Sequence, residues 1–116
     1  MTSEEISKLH KRMDDRIKKR ISEKYDTSVL DSQLASLVSM PGWEIMEDRA
    51  DAMIAELLEY PEFDDSTSLA VRCSVIDGRR LAIEFIRSFI SEVKTTYAAK
   101  KSIEKDEKKE SENKSQ

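Results

Sequence analysis

The chain has 116 residues, of which 38% are charged and 38% hydrophobic, with a formal net charge of -4. Two Gly and two Pro are too few for the many turns of a β-sandwich or an α/β fold. One Cys and one His exclude a disulfide framework within the chain and argue against a zinc site or a His-based catalytic centre. We find no apolar run of transmembrane length and no signal peptide, so we expect a chain that does not enter a membrane.

The first segment, residues 1–25, predicts a basic amphipathic helical arm. It holds eight basic and five acidic residues, and its helix is expected over residues 3–25. Apolar residues recur every three or four positions and form one narrow stripe: Ile6, Leu9, Met13, Ile17 and Ile21. Because a stripe one residue wide cannot build a core, we expect it to pack on the rest of the domain, on a second copy or on a partner protein.

Basic side chains surround this stripe and make the arm a candidate for binding phosphates or an acidic partner. The candidate contacts are Lys11, Arg12, Lys18, Lys19 and Arg20. Acidic residues are interspersed and the arm has no Trp or Phe, so packing on a protein is the preferred interpretation over nucleic acid, and nucleic acid over a membrane surface. His10 lies off the stripe without a second ligand nearby, which predicts a surface position.

Residues 26–42 predict a short helix and a linker. Asp26, Thr27 and Ser28 favour a turn or a helix cap, a helix is expected over residues 29–38, and Pro41 with Gly42 ends it. Residues 26–60 hold one basic and eight acidic residues, so an acidic region follows the basic arm.

Residues 43–99 predict an antiparallel hairpin of two long helices, over residues 43–60 and 68–97. Apolar residues follow heptad spacing in both, and the residues expected to pack between them are Trp43, Met53, Leu57, Gly78, Ile83 and Ile90. Gly78 suggests either a close helix crossing, opposite Trp43 or Met46, or a tolerated glycine.

Other hairpin residues have predicted places. Arginines are expected to face the acidic side chains of the preceding helix and set its register: Arg72, Arg79, Arg80 and Arg87. Asp64 and Asp65 are expected to cap the second helix, and Cys73 to be buried or half-buried. Residues 100–116 predict a charged flexible tail, with the helix fraying to about residue 109.

The stretch from Met40 to Tyr97, about half the chain, contains four features in order. They are Pro41-Gly42-Trp43, an amphipathic helix over residues 44–60, an acidic linker over residues 62–65, and Gly78-Arg79 leading into an Ile-rich stripe. This pattern resembles small helical-hairpin accessory proteins of tailed bacteriophages. The resemblance implies a virion or assembly component, located in the virion or the host cytoplasm.

The sequence therefore predicts an all-α, non-enzymatic structural or interaction protein. We expect it to bind a larger protein assembly or copies of itself, forming a homo-oligomer, and we identify no catalytic residue, cofactor, metal or small-molecule site. Two alternatives stay open: a nucleic-acid-binding or packaging-associated module that uses the basic arm, and a small inhibitor of a host protein whose acidic region mimics nucleic acid.

Overall fold

The computed structural model describes residues 1–114, which contain four α-helices and no strand. The helices are α1 (Ser3–Lys24), α2 (Thr27–Leu37), α3 (Trp43–Leu58) and α4 (Leu69–Lys114). The all-α prediction is confirmed, and most of the predicted helix boundaries lie within two residues of those observed.

Short polar side chains begin three of these helices by accepting backbone N–H groups that have no partner within the first turn. Thr2 Oγ1 accepts from the Glu5 N–H of α1 at 3.1 Å, and Asp26 Oδ1 accepts from the Ser28 N–H of α2 at 2.9 Å. Ser68 Oγ accepts from the Val71 N–H of α4 at 3.2 Å.

The predicted cap of α4 by Asp64 and Asp65 is wrong. Asp64 Oδ1 instead accepts from the Ser66 N–H at 3.0 Å, which closes a turn within the loop before α4. Ser68, which immediately precedes α4, supplies the cap.

Helix α4 is the element on which the other three pack. Its 46 residues span about 69 Å at the usual helical rise, which accounts for most of the 76 Å long axis of the molecule. Ile6, Ala35, Trp43, Ile83 and Val93 are the buried hydrophobic core residues, and each of the four helices contributes at least one of them.

The three shorter helices take different paths along α4. Helix α1 runs parallel to it, since Ser3 bonds to Arg80 whereas Lys18 lies beside Glu92. Helix α3 runs antiparallel to it, with Glu47 paired to Lys94 near its start and the Glu59 carbonyl bonded to Arg79 at its end. Helix α2 lies further along, where Ala35 and Ser36 share a cleft with Tyr97 and Lys101. The predicted hairpin is thus present in part, because α3 accompanies only the middle of α4.

The face of α3 that meets α4 differs from the predicted heptad seam. Met53 is 50% exposed and Met46 is also exposed, whereas Glu47 and Ile54 are half-buried. The inward face consists of Trp43, Glu47, Ala50, Ile54 and Leu57. The physical reason is the 2.8 Å ion pair between Glu47 and Lys94, which gives a charged residue a place at this contact. The assignment of Met53 to the hairpin interior is therefore wrong, and that of Trp43 and Ile83 is consistent with their burial.

Gly78 does not mark a close helix crossing. It is exposed, and a Cβ built at this position meets no atom within 4 Å among the described residues. The contact between Glu47 and Lys94 places the start of α3 sixteen residues along α4 from Gly78, so neither Trp43 nor Met46 lies opposite the glycine.

The predicted flexible tail is helical as far as the structure describes it. Residues 100–114 continue α4, whereas residues 115–116 lie outside the described part of the chain. Opposite charges follow one another four residues apart at Lys100, Glu104, Lys108 and Glu112, a spacing that stabilises exposed helices.

Candidate functional site

The apolar stripe of α1 is divided into a covered part and an exposed part. Ile6 is 4% exposed, and Leu9 and Met13 are half-buried, so the beginning of the stripe packs within the chain itself. Ile17 is 46% exposed and Ile21 is half-buried. Ile6 therefore belongs to the chain's own core and is not available to a partner, which corrects its assignment as a partner contact.

His10 takes part in this internal packing, contrary to the predicted surface position. It is half-buried, its Nε2 lies 3.1 Å from Ser88 Oγ, and its ring meets Phe85 edge-on with centroids 4.6 Å apart. Ser88 Oγ also lies 3.3 Å from the Phe85 carbonyl oxygen, and the tautomer of the His10 ring decides which of the two side chains donates in the contact between them. This contact fixes the middle of α1 on α4.

Three of the four arginines singled out on α4 bond to oxygen atoms other than the carboxylates of α3, contrary to prediction. Their acceptors are the Thr67 carbonyl for Arg72 at 3.1 Å, the Glu59 carbonyl for Arg79 at 3.0 Å, and Ser3 Oγ for Arg80 at 2.8 Å. The Glu59 carbonyl lies at the end of α3, where carbonyls have no partner within the helix, and a guanidinium reaches such oxygens with several donors. These arginines hold the connecting loop and the start of α1 against α4.

An open groove lies between the second half of α1, helix α2 and the middle of α4. Its volume is about 640 Å³. Its apolar lining comes from all three helices: Ile17, Ile21, Leu30, Leu34 and Phe89. Phe89 is 49% exposed, and Leu30 and Leu34 are half-buried. The part of the α1 stripe that the chain leaves uncovered thus continues into a larger apolar surface.

Charged side chains also line this α1–α2–α4 groove, namely Asp14, Asp15, Lys18, Lys19, Asp31 and Glu92. Lys18 Nζ lies 3.1 Å from an Asp14 carboxylate oxygen and 3.9 Å from one of Glu92, so it links α1 to α4. The hydrogen bond with Asp14, together with the charge of Glu92, raises the pKa of Lys18. Lys18 therefore stays charged at neutral pH, and its ammonium group is engaged by carboxylates of the chain itself.

The other predicted phosphate contacts are exposed but do not converge on one patch. Lys11, Arg12, Lys19 and Arg20 form no ion pair with any described residue. Lys11 and Lys18 are seven residues apart, as are Arg12 and Lys19, so they form two rows along α1. Asp15 falls between these rows on the helix.

The described residues contain no cluster suited to a metal ion. Within residues 1–114, no three or more His, Cys, Asp or Glu side chains are grouped so that they could hold a metal ion. Cys73 is exposed, which corrects its predicted burial. No described helix combines the length and the apolar character needed to cross a membrane.

Comparison with known proteins adds no further assignment, since no family model, no curated protein and no solved structure matches the chain. The α1–α2–α4 groove is therefore the candidate functional site on its geometry alone. It contains Ile17 and Ile21, which the sequence singled out. Leu30, Leu34 and Phe89 were missed, because only the tertiary arrangement brings α2 and α4 beside the end of α1.

Proposed function

We propose that this protein is a non-enzymatic interaction protein that binds a protein partner through the α1–α2–α4 groove. The observation that carries the proposal is the exposure of Ile17 and Phe89, on two different helices, within one groove. Covering apolar surface stabilises a complex by about 25 cal/mol per Å². Many large apolar side chains are exposed in the described part of the chain, but Ile17 and Phe89 lie together in one groove, which is consistent with a surface that a partner covers.

We further propose that the partner belongs to a larger assembly, as in an accessory component of a bacteriophage virion or of its assembly. The support is the resemblance of residues 40–97 to small phage accessory proteins. The protein would then act in the virion or in the host cytoplasm. Self-association is the competing form of the proposal, and exposed apolar residues on α3, among them Ile45 and Met53, favour a face through which copies could meet.

Site-specific crosslinking tests the groove. A photoreactive amino acid at position 17 is expected to crosslink one defined protein when the chain is recovered from the setting in which it occurs. The same amino acid at position 45, which is 71% exposed on α3, is the matched control and should not crosslink that protein. Equal crosslinking from both positions would argue against the groove as the binding surface.

Sedimentation velocity separates a partner from self-association. If copies associate, the sedimentation coefficient of the pure protein rises with concentration, and Met53→Asp abolishes the rise while helicity by circular dichroism is retained. A sedimentation coefficient that stays at the value of the monomer over the micromolar range would exclude self-association and leave binding to another protein as the proposal.

Nucleic-acid binding is the second candidate function, favoured by the exposed and unpaired cations of α1. It predicts retention on DNA or RNA at low salt and a steep loss as salt increases, because phosphate contacts release counterions. Replacing Arg12 and Lys19 together with Gln should reduce this retention. Absence of retention by the parent protein at low salt would exclude the candidate.

A further inference from the structure

We infer that the occupant of the α1–α2–α4 groove is an amphipathic helix of a partner protein, with apolar residues along one face and Lys or Arg on its flanks. This inference rests on the proposed function and specifies its partner. It is argued from the shape of the groove and from the charges that line it.

The shape of the groove favours a helix. Ile17 and Ile21 are one turn apart on α1, and Leu30 and Leu34 are one turn apart on α2, so each helix presents a ridge of side chains four residues apart. Phe89 adds an aromatic ring from α4. Ridges with this spacing leave gaps that side chains at positions i, i+3, i+4 and i+7 of another helix fill. A volume of about 640 Å³ lies within the roughly 300–1,000 Å³ that is usual for ligand-binding clefts.

The charges of the groove favour a basic occupant. Four carboxylates line it against two lysines, and Lys18 is already held by Asp14 and Glu92. Asp15 on α1 and Asp31 on α2 form no ion pair with any described residue, and neither does Lys19, so two carboxylates on two different helices remain against one lysine.

The same charges argue against a second copy bound groove to groove. A symmetric contact of that kind places the carboxylates of one copy near those of the other. Like charges brought together at an interface are unfavourable, and they reject partners that carry them. A partner helix with basic flanks meets the free carboxylates with opposite charge while its apolar face covers Ile17 and Phe89.

Two synthetic peptides test the inference. Both form amphipathic helices of about four turns with the same Leu pattern; one carries Lys on its flanks and the other Glu. Binding of the fluorescently labelled peptides to the full chain is measured by anisotropy. The Lys peptide is expected to bind at least about tenfold more tightly than the Glu peptide, and increasing salt should weaken its binding.

Matched variants locate the binding. Phe89→Ala and Ile17→Ala each change a half-exposed residue of the groove and should weaken binding of the Lys peptide. Ile45→Ala on α3 should leave that binding unchanged. The double change Asp15→Asn with Asp31→Asn should reduce the ratio between the affinities for the Lys peptide and the Glu peptide. The double change Glu44→Gln with Asp48→Asn removes the same charge from exposed positions on α3 and should leave the preference unchanged.

Three outcomes would overturn the inference. They are equal binding of the two peptides, binding of the Lys peptide that is insensitive to Phe89→Ala and Ile17→Ala, and an equal effect of the two double changes. If neither peptide binds while position 17 still crosslinks a partner, the basic helix is excluded and the proposed function stands. If position 17 crosslinks nothing, the proposed function fails independently of the peptides.

Discussion

Trp43 shows how much one side chain contributes to a small core. Its side chain lies in the interior, and its buried indole N–H makes no hydrogen bond of good geometry with a described residue, although it lies near the Glu47 carboxylate and helps to lower the pKa of that group. The apolar area of the ring stabilises the fold, whereas the N–H, which has only this poorly aligned partner, contributes little.

Replacing Trp43 separates these two contributions. Trp43→Phe retains most of the apolar contact and removes an N–H that has no well-aligned hydrogen bond, so the free energy of unfolding should stay within about 1.5 kcal/mol of that of the parent. Trp43→Ala should lower it by about 3–5 kcal/mol, because a large cavity remains. Urea unfolding followed by circular dichroism measures both; a loss in the Phe variant as large as in the Ala variant would contradict this account.

Gly78 offers the opposite case, a residue whose replacement should increase stability. It is helical, exposed and has no neighbour that a Cβ would meet. Gly78→Ala should raise the free energy of unfolding by about 0.5–1 kcal/mol, since alanine loses less backbone entropy in a helix. Thermal and urea unfolding test this, and a decrease in stability would indicate that another part of the molecule packs on this face.

The sequence could not predict the surroundings of single residues such as His10 and Gly78. His10 and its partner Ser88 are 78 residues apart, so no local pattern relates them. For Gly78, the heptad pattern of α4 continues through the glycine in the same way whether or not a helix lies opposite. In both cases the path of one helix along another decides the environment, and composition does not encode that path directly.

At the scale of the elements, the sequence patterns predicted where the helices begin and end better than which face of each helix turns inward. The cap at Asp26 and the break at Pro41 bound α2 closely, whereas the cap of α4 was assigned to the wrong residues. Heptad counting assigned Met53 to the contact between α3 and α4, but Ile54 and Glu47 face inward instead. Counting apolar positions does not identify Glu47 as an interface residue, because Glu47 is charged and its partner Lys94 lies on another helix.

The pair between Glu47 and Lys94 predicts how acid affects the α3–α4 contact. The hydrogen bond with Lys94 lowers the pKa of Glu47 below its ordinary value of 4.5. A lowered pKa in the folded state stabilises the fold above that ordinary value, and the stabilisation is lost as the pH falls through the lowered pKa. Glu47→Gln should therefore be less stable than the parent at neutral pH, and the difference should disappear in acid.

Urea unfolding of both proteins between about pH 7 and about pH 3 measures this difference. Glu44→Gln is a suitable control, since Glu44 is exposed on the same helix and forms no ion pair with the described residues. If the difference in the free energy of unfolding between the parent and Glu47→Gln were independent of pH, the pair would contribute through packing alone.

At the scale of the whole molecule, α4 joins three helices that each pack on it. Ile83 illustrates this role, because it lies in a cleft with Ile6 of α1 and with Leu58 of α3. Loss of such a shared contact should affect α1 and α3 together, which predicts one cooperative unfolding transition.

Ile83→Ala tests the cooperativity. It should lower the free energy of unfolding by about 2–5 kcal/mol, as expected for truncation of a buried isoleucine. Two probes report on different helices: the fluorescence of Trp43 on α3 and the imidazole proton resonances of His10 on α1. Their midpoints in urea should coincide in the parent and shift equally in the variant, and separate midpoints would show that α1 and α3 unfold independently of each other.

The order of the helices along the chain has a consequence for synthesis on the ribosome. The element on which all others pack is the last of the four to emerge, and the contacts of α1 with it join residues nearly 80 positions apart. Until most of α4 has left the exit tunnel, the nascent chain holds Ile6 and Trp43 without the surface that buries them. Stable folding therefore begins late in translation, and the first three helices are the segments that a chaperone has the longest opportunity to bind.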